Sequence, residues 1–482
     1  MNFTFTTTPD KFSYPLIIPV FEQENLDKKF QKQAELIKAS CFTAKKGEVI
    51  SYLTQGHLVY LLGVGKKPEK DIQVSLQQIG GKIAGFVSTL KNQQIAISCS
   101  SLEQNLNVNF SVAAYVAYGL GLGTYSFDTY KTKKENEQRP EEVLFFSNDE
   151  NKDNATFETL FAVMDGIYEA RDLISEPANM LSPQDFVDAV RQMKMENVKI
   201  TVLDKAKMEK LGMNLILNVG AGAKKPPFLL VMEYMNGKKN DNPVVLVGKG
   251  VCFDSGGMNL KPSQGLTDMK YDMAGGAAVV GTLWALSNIG VKKNVVGIVP
   301  LVENMLSSTA QHTQDVWRAM SGKTVEVGNT DAEGRLILAD ALWYGQENYN
   351  PKAIIDIATL TGAMRYVFGS QYAALYSNDD KLAEKLKKAS DTTLDKIWQL
   401  PLNEAYADML KSPIADICNI GGNGEAGSSS AAMFIKSFIK DNTPWAHLDI
   451  ASVAWTKKRI PCAPEGPTGF GVALLTQMIL ED

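Results

Sequence analysis

Histidine is scarce in this chain: His57, His312 and His447 are the three among 482 residues. Chemistry built on a histidine cluster, or on a histidine-dependent triad, has little to work with. His447 lies in an apolar run and is expected to be a satisfied structural histidine, while the other two carry no supporting pattern. Cysteine is sparse too, with five residues at positions 41, 99, 252, 418 and 462, an odd number with no Cys-x-x-Cys pair. That excludes a disulfide scaffold and points to free thiols in a reducing, cytoplasmic setting.

No charge of one sign dominates. There are 49 basic and 54 acidic residues, a net charge of −5, which gives no basis for whole-chain attraction to nucleic acid or an anionic membrane. The basic patch Lys131–Lys134 is followed at once by Glu135 and Glu137 and is expected to be a solvated loop. Long hydrophobic runs are missing with one exception, Met273–Val291, which carries no charge. It contains Gly275, Gly276, Gly281, Gly290, Thr282, Ser287 and Asn288, and no second such segment exists. A buried core helix is expected there, not a membrane span. Met1–Val20 has no basic stretch followed by an apolar run, so no signal peptide is expected.

The composition that remains, 45% hydrophobic and 21% charged, is that of a soluble globular protein. Short strands at His57–Leu62, Gln94–Ser98 and Val143–Ser147 alternate with helices at Phe110–Leu122 and about Thr156–Ile174. Lys131–Asp153, charge-dense and broken by Pro140, is expected to include surface loop. Stronger strands follow at Val244–Val247, Val295–Val302, Thr324–Val327, Ala353–Ile357 and His447–Ile450. Helical patterns at Ala274–Ser287, Ile337–Glu347 and Leu382–Ala389 separate several of them. This alternation predicts an α/β protein of two domains, 1–168 and 169–482. Each would have a mainly parallel sheet sandwiched by helices, and the C-terminal domain would be the larger. Gly63-Val64-Gly65 begins like a dinucleotide fingerprint, but Pro68 stands where the third glycine belongs, so a strand-end turn is expected.

Ligand sites in such sheets lie past the C-terminal ends of strands, and the unusual residues fall there. Gly248-Lys249-Gly250-Val251-Cys252-Phe253-Asp254-Ser255-Gly256-Gly257 follows the Val244 strand, with Lys261 and Met269-Lys270-Tyr271-Asp272 beyond. Gly328-Asn329-Thr330-Asp331-Ala332-Glu333-Gly334-Arg335-Leu336 follows the Thr324 strand. Any one of these could be a turn with a surface charge. As a set, charges crowded against buried strands point to metal. Asp254, Asp272, Asp331 and Glu333 supply four negative charges, matching two divalent ions. Lys249 could join them only as a neutral amine. Lys261 and Arg335 remain cationic, suited to a developing oxyanion or a bound anion. Oxygen donors with one amine suit Zn2+, Mn2+, Mg2+ or Co2+. Two such ions could bridge and activate a water. Spacing alone leaves peptide and phosphoester hydrolysis both open.

These residues resemble the leucyl aminopeptidase family, the cytosol aminopeptidases of peptidase family M17. Asn329–Leu336, NTDAEGRL, matches that family's signature octapeptide, and Val247–Pro262 and Met269–Val279 match two further blocks. Weaker matches at Ile357–Ala363, Trp445–Ala451 and Thr468–Val472 extend the likeness over most of residues 170–482, while the N-terminal third matches loosely. The resemblance implies a binuclear metallopeptidase that releases N-terminal amino acids such as leucine from peptides with a free N-terminus. By motif position, Lys249, Asp254, Asp272 and Glu333 resemble the ligands of a tight metal site. Asp254, Asp331 and Glu333 resemble those of an exchangeable one. The ions would be Mn2+ or Zn2+, with Mg2+ and Co2+ also compatible. Lys261 and Arg335 correspond to the two catalytic positions, Lys261 polarising the scissile carbonyl and Arg335 holding bicarbonate as general base. Met269, Asn329, Ala332, Thr359, Leu360 and Gly362 match substrate-binding positions. A homohexamer is implied, with the N-terminal domain serving assembly and cavity shaping. Some members of the family also act as DNA-binding regulators, an alternative that the acidic net charge disfavours. The chain departs from the family pattern at Cys252, expected as a small buried side chain, at Ser428-Ser429-Ser430, and at Ala221-Gly222-Ala223.

Overall fold

Valine- and isoleucine-rich runs bounded by glycine and charged turns form the strands of a computed structural model that describes residues 1–8, 14–22, 42–54, 56–90, 92–133, 139–421 and 425–482. The chain divides into two units: 1–164 with 457–465, and 165–456 with 466–482.

The first unit holds β1 (Asn2–Thr6), β2 (Leu16–Phe21), β3 (Val49–Thr54), β4 (His57–Gly65), β5 (Gln94–Ser98) and β6 (Glu142–Phe146), in the order β1-β6-β5-β2-β4-β3. All neighbours are parallel except β3, which runs antiparallel to β4 at the edge. Pro19 is accommodated because the ladder between β2 and β5 covers Leu16 and Ile17 alone, so its missing N–H is not needed on that side. The Gly63–Gly65 segment is the end of β4. Helices Ile72–Val87 and Val112–Gly123 share a core with the sheet. The helix expected from Thr156 begins earlier, at Glu150, where Glu150 and Asp153 suit the positive end of the helix dipole. Lys131 and Lys133 are exposed; Lys134, Glu135 and Glu137 lie outside the described residues.

The second unit is built on β7 (Val198–Leu203), β8 (Phe228–Met235), β9 (Val244–Gly248), β10 (Gly250–Asp254), β11 (Asn294–Asn304), β12 (Val316–Arg318), β13 (Thr324–Glu326), β14 (Ala353–Ala358), β15 (Ala373–Ser377), β16 (Ile397–Gln399), β17 (Ile417–Cys418) and β18 (Trp445–Asp449). Its main sheet has the order β16-β15-β18-β14-β9-β11-β8-β7, with β10 also paired to β11. The centre, β18-β14-β9-β11, is parallel. Antiparallel pairs flank it on both sides. Every residue of β9, β14 and β18 is buried, which is why these strands are mostly apolar, with Asp356, His447 and Asp449 the polar exceptions.

Helices Ala274–Ile289 and Glu333–Tyr349 pack on β9, β11 and β14. The first is the uncharged stretch, and nearly all of its residues are buried. No helix among the described residues is long and apolar enough to cross a membrane. β13 pairs with both β12 and β17 in a separate small sheet. This small sheet brings residue 418 beside residue 326, a pairing that matters for the site.

Candidate metal and peptidase site

The site lies past the C-terminal ends of β9, β10, β13 and β14, where the open α/β rule places it. Between β9 and β10 the chain passes through Lys249. Its backbone N–H donates to Ile357 O at 3.1 Å, and its carbonyl accepts from Gly276 at 2.7 Å. β10 then runs beside β11 with a register shift between Val251 and Phe253. Cys252 falls at that bulge, 2% exposed, and burial pushes its thiol pKa up. It is a small buried side chain, not a reactive one.

Asp254 ends β10. Its Oδ1 accepts from Gly256 N and Asn304 Nδ2, each at 2.9 Å. Gly256 and Gly257 both have positive φ, 87° and 65°, a turn that glycine makes without strain and that returns the chain to Lys261. Asp272 sits in the short turn before helix Ala274–Ile289, and its Oδ1 accepts from Thr359 Oγ1 at 2.7 Å. Glu333 and Arg335 occupy the first turn of helix Glu333–Tyr349.

These elements bring oxygens of Asp254, Asp272 and Glu333 within 4.8 Å of one another, all buried. Lys249 Nζ lies 2.7 Å from Asp272 Oδ2, 2.8 Å from Glu333 Oε1 and 3.0 Å from Thr359 O. Lys261 Nζ lies 2.7 Å from Asp254 Oδ2 and 2.5 Å from Asp331 Oδ1. Asp331 is thus tied to the cluster through Lys261 and is more exposed than the other three carboxylates.

Burial acts to lower the pKa of both lysines, but the surrounding carboxylates outweigh it and hold both above the usual range. Burial raises Asp272, Asp331 and Glu333, with Asp254 adding to each. Glu333 Oε2 is buried with no hydrogen-bond partner among the described residues. A buried carboxylate oxygen without a partner is costly. The carboxylates also outnumber the ammonium groups beside them, so the donor set fits a divalent cation. With a cation beside it, Lys249 could lose its proton and present a nitrogen.

Arg335 donates from Nη1 to Asn419 O at 2.7 Å, and its Nε has no partner among the described residues. Burial brings its pKa down to about 10, so it stays cationic at neutral pH. The remaining residues flank this centre. Met269 opens the turn that carries Asp272. Asn329 and Ala332 bracket Asp331, and Asn329 Oδ1 accepts from Asp331 N at 2.8 Å. Thr359 is buried, Leu360 is half-buried and Gly362 is exposed. A β-carbon on Gly362 would meet nothing within 4 Å.

Four residues that hold the site were not singled out from the sequence. Asn304 links Asp254 to Thr330 O at 3.0 Å. Asn259 Oδ1 accepts from Thr330 N and Oγ1. Asn419 binds the backbone around Asp331. Asp449 accepts from Leu360 N, Thr361 N and Thr361 Oγ1, fixing the segment that supplies Thr359. Asp449 also accepts from Ser428 Oγ at 3.1 Å, and Tyr376 donates to the same hydroxyl at 3.2 Å. Ser428 therefore serves as a polar link between Tyr376 and Asp449. His447 is fully buried, with Nδ1 2.5 Å from Asp356 Oδ1 and Nε2 without a partner among the described residues.

Comparison with known proteins shows the family. The model of the "Cytosol aminopeptidase family, catalytic domain" matches residues 168–476, and that of the family's N-terminal domain matches 18–134. A "Probable cytosol aminopeptidase" of Rickettsia bellii (strain RML369-C) is 43% identical over 450 residues, covering 92% of this chain and 89% of its own. One from Rickettsia massiliae (strain Mtu5) is 39% identical over 499 residues, covering 100% and 99%. Among solved structures, a point mutant of tomato leucine aminopeptidase superposes with a TM-score of 0.88 at 28% identity, covering 100% of this chain and 97% of that one. The bottromycin maturation enzyme BotP in complex with Mn gives 0.86 at 29%, covering 98% and 99%. The chain belongs to the cytosol aminopeptidase family and is thereby a metal-dependent aminopeptidase.

Proposed function

We propose that the protein is a binuclear, leucyl-type aminopeptidase that removes N-terminal residues from peptides with a free α-amine. The observation that carries this reading is the buried Asp254–Asp272–Glu333 group with Glu333 Oε2 unpartnered, in a chain of this family. Lys249, Asp254, Asp272 and Glu333 would hold one ion, and Asp254, Asp331 and Glu333 a second, as Mn2+ or Zn2+. Mg2+ and Co2+ fit the same donors. Bound ions supply Lewis acidity and a water of lowered pKa.

The chain's own groups do the rest. Lys261, cationic and partly accessible, polarises the scissile carbonyl and stabilises the charge that develops on its oxygen. Arg335 holds a bicarbonate ion as proton acceptor, using the Nε that no described group takes up and its place in a helix's first turn. Met269, Asn329, Ala332, Thr359, Leu360 and Gly362 line the substrate. Assembly as a homohexamer and residence in the cytoplasm complete the reading. The DNA-binding alternative gains no support from the site or the relatives.

The test is hydrolysis of a leucyl anilide beside its N-acetylated twin, as purified, after chelation, and after Mn2+ or Zn2+ is restored. Cleavage of the free-amine substrate alone, lost with chelator and regained with metal, is expected. Cleavage of the acetylated twin, or activity indifferent to chelation, would refute the reading.

A further inference from the structure

Asn419 is fully buried and lies just beyond β17, where the small sheet sets it beside the start of the Asp331 loop. Its Oδ1 accepts from Gly328 N at 2.8 Å and Asn329 N at 3.2 Å. Its Nδ2 donates to Asn329 O at 2.7 Å and Ala332 O at 3.2 Å. One amide thus spends its whole capacity, two lone pairs and two hydrogens, on the two sides of the loop that carries Asp331. Its backbone N–H donates to Glu326 O at 2.9 Å, and its own carbonyl accepts Arg335 Nη1 at 2.7 Å.

We propose that Asn419 is a positioning residue for the peptidase reaction, its side chain fixing the Asp331 loop and its carbonyl fixing Arg335 in one frame. This rests on the proposed roles of Asp331 and Arg335. No acid, base or nucleophile is added. A carboxylate on a loop free to shift would meet an ion in many geometries, and a guanidinium without its carbonyl partner would rotate away from its anion. Pinning both through one residue holds the Asp331 loop and the Arg335 guanidinium at one separation.

The experiment compares Asn419→Ala with Asn294→Ala in the full chain. Asn294 is a buried amide of similar burden at the start of β11. It accepts from Gly237 N at 2.9 Å and donates to Lys238 O and Asp241 O at 2.8 Å each, all outside the site. Both variants are measured for thermal midpoint, kcat and KM on the leucyl anilide, and Mn2+ binding to the metal-free protein by electron paramagnetic resonance. Asn419→Ala is expected to lower kcat by about 10–100-fold, and to weaken the loosest Mn2+ step by a similar factor. KM should move by less than about threefold, and Asn294→Ala should leave both constants within about twofold. Wild-type kcat and Mn2+ affinity in folded Asn419→Ala would overturn the proposal. So would an equal loss in Asn294→Ala, which would reduce Asn419 to a stability element. Asn419→Asp keeps the acceptor and loses the donor, and the same falls are expected of it; it decides the question if the alanine variant does not fold. If the wild type cleaves no anilide, the peptidase reading fails separately, and the Mn2+ titration then supports or overturns the positioning claim by itself.

Discussion

Gly334 and Lys249 are in such close approach that no side chain fits between them. A β-carbon on Gly334 would lie 2.7 Å from Lys249 Cε and 2.9 Å from its Nζ. Lys249 cannot yield freely, because Nζ is already held by Asp272, Glu333 and Thr359. The glycine inside the octapeptide is therefore there for the lysine.

Gly334→Ala tests this contact. Alanine favours a helix over glycine by about 0.8–1.0 kcal/mol, but a methyl group forced against the held Lys249 costs about 1–3 kcal/mol, so the thermal midpoint should fall modestly. Displacing Lys249 should lower Mn2+ affinity and kcat together. Wild-type Mn2+ titration and turnover would show that Lys249 plays no part at the centre.

Asp272→Ala or Glu333→Ala should abolish activity, a loss beyond the roughly 10–100-fold typical of a residue that merely supports a ligand. Circular dichroism should stay unchanged. Full activity in either purified variant would remove these carboxylates from the ligand set.

Lys261→Ala and Arg335→Ala should slow turnover while Mn2+ remains bound. Loss of a charge aimed at a developing oxyanion typically costs about 10²–10³-fold in kcat. Lys261 neutralises Asp254 and Asp331, so its removal should leave Mn2+ binding equal or tighter. Metal loss would instead make Lys261 and Arg335 structural supports.

His447 gives a pH signature. Burial opposes its charge, but Asp356 outweighs burial and raises its pKa above 6.5. The folded state then binds the proton more tightly than the unfolded one. The stability it contributes is full below the unfolded pKa and is lost as pH rises through the folded pKa. In metal-free protein, the thermal-midpoint gap between wild type and His447→Gln should narrow as pH rises from about 6 to about 9. A gap constant over that range would mean that folding leaves the imidazole pKa unshifted.

The fold and the candidate site were unequally legible. β5 was legible to the residue, because Gln94–Ser98 is an apolar run with clear stops. β9, β11 and β14 were legible because strands buried on both faces are dominated by valine, isoleucine and leucine. β2 was not picked out, although Leu16–Phe21 is buried throughout. Lys249, Asp254, Asp272 and Glu333 were legible as a set because charge beside glycine and buried strand is unusual wherever it falls.

The sequence by itself determined the α/β alternation, the family and the charged residues that converge. Each of these is written in local pattern: periodicity, a short motif, a charge out of place. The tertiary structure alone decided what holds those residues still. Asn304 meets Asp254 across 50 residues, Asn259 meets Thr330 across 71, and Asn419 meets Asn329 across 90. It alone placed residues 457–465, late in the chain, with the first unit. An amide's hydrogen bonds to distant backbone leave no periodicity or spacing behind, because their partners are set by which strands pair and not by what stands nearby in the chain.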